Sequence, residues 1–111
     1  MQLSVHPNGD SGASPYMSAC LYIMKGPHDK QLEWPMKGKC EVKLLNQTIR
    51  SEEKHYSRTN PINEKNSCKP TSKRNEHYCW HSGALISYET LTARNHFLKE
   101  DTIYFKVCSL Q

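Results

Sequence analysis

Between Gly26 and Gln47 the chain reads Gly-Pro-His-Asp-Lys-Gln-Leu-Glu-Trp-Pro-Met-Lys-Gly-Lys-Cys-Glu-Val-Lys-Leu-Leu-Asn-Gln, and this block limits the fold more than any other. Pro35 biases Trp34 toward an extended backbone and so excludes a helix across the pair. After Gly38 the pattern alternates, with Cys40, Val42 and Leu44 on one side and Lys39, Glu41 and Lys43 on the other. A period of two is the mark of a half-buried strand. The block is therefore a loop, with Trp34 as a structural plug beneath it, running directly into a strand.

The flanking segments repeat this grammar. Leu3 and Val5 alternate with Ser4 and His6, and Pro7-Asn8-Gly9-Asp10 then gives an Asn-Gly turn in which both residues tolerate positive φ. Ser11 to Pro15 extends that loop. Met17 to Lys25 predicts a strand that is apolar on both sides, stopped by Gly26-Pro27. Ala19, Leu21 and Ile23 share the inner side, and Cys20 and Tyr22 the other. That other side either turns outward for a partner to cover or is buried by the fold as well. A nine-residue helix is the competing reading. Residues 47–78 are polar and hold Asn60-Pro61 and Lys69-Pro70, which predicts a long excursion with at most one short edge strand. Apolar character returns at Tyr78-Cys79-Trp80, and Leu85-Ile86-Ser87 is extended. Ser87 is placed to cap a helical turn over Tyr88 to Ala93, with Glu89 in its first turn. Phe97 to Asp101 is a turn, and Thr102 to Cys108 closes the chain with Ile103, Phe105 and Val107 opposite Thr102, Tyr104 and Lys106. Short strands, polar turns and little helix describe an all-β antiparallel sandwich.

The 111 residues support one domain, taken as 1–111. At 36% hydrophobic residues its core is small. The net charge of +4 is spread over mixed signs without the basic stripe of a nucleic-acid binder, and Lys69, Lys73 and Arg74 sit among Asn, Ser and Glu as a solvated loop. No run is long enough to insert in a membrane as a helix, and the first residues lack the pattern of a signal peptide. The five cysteines are odd in number and irregularly spaced, and in a cytoplasmic protein they read as reduced, small, buried apolar side chains. Cys68, His77, Cys79 and His81 invite a zinc reading, with Cys79 and His81 on one side of a strand. Their Cys-x8-His-x-Cys-x-His spacing matches no standard tetrahedral framework, so incidental histidines around a buried cysteine are preferred and neither metal nor cofactor is expected. A Cys-His nucleophile would need an orienting group and an oxyanion site that nothing here suggests.

Collinear segments carry a family resemblance. Leu3 to Asp10 is similar to a strand ending in Tyr-Leu-Asn-Gly-Asp-Gly, and Met17 to Gly26 to one ending in Met-Arg/Lys-Gly. The Trp34 block resembles Leu-x-Trp-Pro leading to Leu-Leu-Asp/Asn-Gln. Phe97 to Val107 resembles Tyr-Ile/Val-Lys/Arg-Asp-Asp-Thr-Ile-Phe-Phe-Lys-Val, and Leu85-Ile86-Ser87 sits where Phe-Ile-Ser would. Together they resemble the C-terminal TRAF domain, the TNF-receptor-associated-factor branch of the MATH (meprin and TRAF homology) family.

The resemblance implies a non-enzymatic adaptor module that binds short extended peptides from cytoplasmic receptor tails or adaptors, in TNF-receptor or innate-immune signalling. It also implies an N-terminally truncated domain lacking its first strands, with trimers only where a longer chain supplies a coiled coil. The family's groove Arg and Tyr match Ser4 and His6, its acidic turn residue is Asp10 followed by Ser11 in place of Gly, and a groove aromatic aligns with Cys20. Its serine-rich stretch matches Asn66 to Pro70. The implied peptide-binding residues are His6, Asp10, Cys20, Tyr22 and Ser67. Competing expectations are a truncated remnant without binding activity and a substrate-recognition module of a ubiquitin-ligase adaptor.

Overall fold

The computed structural model describes residues 1–10, 15–48, 55–93 and 96–110. The loop expected over 11–14, and 49–54 of the polar excursion, lie outside the described residues. Among the described residues the strands are β1 (Gln2–His6), β2 (Tyr16–Tyr22), β3 (Lys39–Leu44), β4 (Tyr56–Pro61), β5 (Trp80–Ser87) and β6 (Phe105–Leu110), with one short α-helix, α1 (Tyr88–Thr92), and 3-10 turns at Asp29–Gln31 and Glu64–Asn66. They form two antiparallel sheets, ordered β1-β2-β5 and β4-β3-β6. This is the β-sandwich that the alternating segments predict.

The alternation of each strand decides which layer face it supplies. Leu3, Val5, Ala19, Leu21 and Trp80 stand in register on the inner face of the first sheet. Cys40, Val42 and Leu44 of β3 face them and are fully buried. Trp80 joins the layers directly, its indole Nε1 donating to the Cys40 carbonyl at 3.0 Å. At one margin β4 is the edge strand, as the Asn60-Pro61 signal predicts. There Asn60 Nδ2 donates to the His81 carbonyl at 2.8 Å and Arg58 Nε to the Leu85 carbonyl at 3.3 Å, tying the second sheet to β5.

The opposite margin differs from the expectation. β6 starts at Phe105, three residues later than the alternation suggests. Val107 is 39% exposed although it pairs with fully buried Val42, because no described strand of the first sheet covers β6. Leu110 and Tyr104 are exposed beside it.

Local turns follow side-chain chemistry. The Gly9 amide donates to the His6 carbonyl at 3.0 Å, and Gly9 alone takes the positive φ, 76°, with Asn8 outside that region. Lys99 and Thr102 exchange both backbone hydrogen bonds around Glu100 (φ 52°) and Asp101 (φ 59°), the geometry of a two-residue hairpin turn. The loop before β3 is anchored by Asp29, whose carboxylate accepts from the Gly26 amide at 3.0 Å and whose carbonyl accepts from Trp34 Nε1 at 2.7 Å. Trp34 is half-buried there, as a plug, and its bond to Pro35 is cis.

Ser87 caps α1 as the sequence indicates, its hydroxyl accepting from the Thr90 amide at 3.2 Å. The helix buries only Leu91 and has five residues, so the cap matters to its persistence. Ser87→Ala is expected to cost about 1 kcal/mol in urea unfolding. A change below a few tenths would mean that Leu91 packing alone holds the turn.

Candidate functional site: the outer face of the first sheet

The face of the first sheet that points away from the second carries the polar cross-strand pairs His6 with Ser18, Ser4 with Cys20 and Gln2 with Tyr22, and His81 stands opposite Cys20 on β5. A register shift shapes this face. Met17 pairs with Ile86 and Ala19 with Ser82, so β5 advances four residues while β2 advances two. The surplus residues bulge opposite Ser18, and Gly83 and Ala84 emerge as exposed positions in an otherwise mostly buried strand. Bulges of this kind redirect side chains and are common beside functional sites.

Asp10 leans into this notch from the turn after β1. Its Oδ1 accepts from the Ser18 hydroxyl at 2.7 Å, and its Oδ2 lies 2.9 Å from His81 Nε2. The Ser18 hydrogen bond holds the Asp10 carboxyl below the usual range. Desolvation opposes this, and the His81 hydrogen bond and charge add to it. Asp10 keeps 52% of its side chain exposed, so it can accept further donors. Gly83 lies directly against the pair: a Cβ there would make ordinary van der Waals contact, 3.4 Å from Asp10 Oδ2 and 3.5 Å from His81 Cε1. The His81 ring stacks on exposed Tyr78 at 5.0 Å between centroids.

Toward the other end, the Arg74 guanidinium lies 4.1 Å over the Tyr22 ring and Nη1 donates to Gln2 Oε1 at 3.0 Å. The Cys20 thiol beside Tyr22 pushes the phenol up, and burial adds to the effect. Arg74 is delivered by an antiparallel bridge to Met24, which continues the line of β2.

The structure brings together four of the residues expected from sequence and leaves one aside. His6, Asp10, Cys20 and Tyr22 share this face. Cys20, expected to project outward, is only 3% exposed, and its sulfur lies 4.0 Å from His6 Nε2. It forms the floor because His6 and its cross-strand neighbours close over a small side chain. Ser67 is fully buried next to Cys79, where its hydroxyl donates to the Asn63 carbonyl at 2.6 Å. It belongs to the inward-folded turn over Glu64–Asn66, away from the other four. The sequence did not mark Ser18, Gly83 or Arg74. Ser18 and Gly83 become visible only through the bulge, and Arg74 looks like one cation in a polar loop until its bridge to Met24 is known.

Cys79 and His81 do not share a side. Cys79 is buried in the core while His81 lies on the outer face. Among the described residues no three His, Cys, Asp or Glu side chains are grouped to hold a metal, and no helix is long and apolar enough to cross a membrane.

Two antiparallel layers with a polar, notched outer face define a β-sandwich domain. The TRAF/meprin MATH domain model matches residues 1–106, and the chain belongs to that family. It is 26% identical over 102 residues to TNF receptor-associated factor 5 of Mus musculus, an alignment that covers 90% of this chain and 18% of the relative. The structure of TRAF5 from Notothenia coriiceps superposes with a TM-score of 0.67 at 22% identity, covering 98% of this chain and 55% of that one, and bears on the fold. The chain thus spans about a fifth of its curated relative's length. Domains of this family are protein-interaction modules.

Proposed function

We propose that the domain binds short extended peptides from cytoplasmic receptor tails or adaptor proteins, laid along β5 at Gly83 and Ala84 with alternate side chains reaching across the outer face. The supporting observation is the β5 bulge, which exposes backbone in mid-strand directly beside the Asp10, Ser18 and His81 cluster. Backbone hydrogen bonds set the register of an added strand, and side-chain pockets set its selectivity. The His81 and Leu85 carbonyls on this edge accept at present from the side chains of Asn60 and Arg58, which can yield to peptide amides. His6, Asp10 and Tyr22 then make contact, with Cys20 beneath them. Such an interface is small, so multivalent assembly within a longer adaptor raises the effective affinity. The binding is non-catalytic, in the cytoplasm, with 1–111 acting as one partial domain.

An array of receptor-tail peptides tests this. His6→Ala and Asp10→Ala are expected to weaken the best binders by about tenfold each, the scale of one or two lost hydrogen bonds to a charged or polar group. Both residues are exposed, so circular dichroism should show the fold intact. If every array signal survives both substitutions unchanged, the peptide lies elsewhere.

A further inference from the structure

The outer face is charged oppositely at its two ends. At one end, Asp10 stands beside the His6–Ser18 pair. At the other, Arg74 stands over the Gln2–Tyr22 pair. The ends are separated by four residues of β1 register, which is about 13 Å along a strand. An extended peptide shows side chains to one face at i, i+2 and i+4, so a four-residue interval spans the same distance.

The two charges are not equivalent in occupancy. Asp10 is already engaged through both oxygens, yet half-exposed. Arg74 spends one nitrogen on Gln2 and its planar face on Tyr22, and among the described residues it has no carboxylate within ion-pair distance. A guanidinium fixed by ring stacking keeps its remaining donors in one plane, the geometry suited to a carboxylate or phosphate. Stacking also fixes the side chain in advance, so less ordering entropy is lost when the anion arrives.

We infer that the face reads peptide polarity. The partner carries an anionic side chain, carboxylate or phosphorylated, over Arg74, and a cationic side chain four residues earlier at Asp10. This deepens the peptide-binding reading given above and rests on it. β5 begins near Arg74 and reaches Asp10 at its bulge, so a peptide antiparallel to β5 meets Asp10 first and Arg74 last. Arg74 acts as a specificity-determining residue, and Asp10 sets the direction.

The test uses short fluorescent peptides of the form Lys-Thr-Val-Thr-Glu and its phosphoserine counterpart, the reversed Glu-Thr-Val-Thr-Lys, and the swapped Lys-Thr-Val-Thr-Lys, titrated by anisotropy. The wild-type domain is expected to prefer the first two over the reversed peptide by roughly fivefold, the scale of a single exposed charge pair. Tighter binding of the phosphoserine peptide identifies a phosphate partner, and equal or weaker binding a carboxylate one. Arg74→Glu should weaken the Lys-to-Glu peptide by a similar factor and strengthen the swapped peptide, while Arg74→Gln gives the loss without the gain. Arg74 is exposed, so both variants should melt with the wild type. Equal affinity for forward and reversed peptides, or variants that leave the ranking unchanged, overturns the polarity inference while peptide binding stands. Failure of the wild-type domain to bind either these peptides or the receptor-tail array overturns both.

Discussion

Trp80→Ala is expected to lower the unfolding free energy by about 3–5 kcal/mol, the range for deleting a large buried aromatic. The side chain is 1% exposed and sits where β2, β3 and β5 meet. Its loss leaves a cavity between the layers and removes the indole's hydrogen bond to the Cys40 carbonyl at once. A domain of this size holds about 5–15 kcal/mol in total, so the variant should be marginal or unfolded at physiological temperature. Trp80→Phe separates the two contributions. It keeps most of the ring burial and abandons the hydrogen bond, and should cost about 1–3 kcal/mol. Urea unfolding followed by Trp34 fluorescence gives both values, since that indole remains in each variant. A Trp80→Ala cost under about 1 kcal/mol would contradict the two-layer core.

The second large effect appears on the alkaline side. Burial pushes the Cys79 thiol up to about 11 from an ordinary value near 9, with Cys40 adding to it. Burial raises Cys40 too. A thiol whose folded pKa is raised stays protonated in the fold after the unfolded chain has begun to lose its proton. The stabilisation is therefore complete below about 9 and disappears as pH rises through about 11. For Cys79 alone this amounts to about 2–3 kcal/mol. Urea midpoints should hold between pH 7 and 8 and fall steeply by pH 10.5. In Cys79→Ala the alkaline slope should shrink even though the starting stability is lower. A wild-type midpoint that does not move across this range would show that the thiols are solvated.

Where a local pattern carried its own burial partner, the sequence was sufficient. The Lys39 to Leu44 alternation, the Asn8-Gly9 turn, the Ser87 cap and the edge position of β4 all depend on neighbours close in the chain, and the structure has each of them. Position-by-position burial on Met17 to Tyr22 was less legible, because a strand apolar on both sides does not say which side a small thiol will occupy. Cys20 went under His6 for that reason. Val107 failed in the opposite sense, since its alternation is sound and only the covering layer is missing above it among the described residues. The candidate site was half legible. His6 and Asp10 could be named from resemblance and Tyr22 from its side of the Met17–Met24 strand, but Ser18, Gly83 and Arg74 come together through a register shift and a bridge joining Met24 to Arg74. Pairings over such separations leave no trace in a window of neighbouring residues.

The surplus in β5 also sets what this surface can become. Slack in a strand is taken up locally, so changes of length or shape around Gly83 and Ala84 need not slip the hydrophobic register on either side of them. The buried scaffold and the adjustable rim are mechanically uncoupled at that point. New preferences can be tried there without the layers having to be rebuilt.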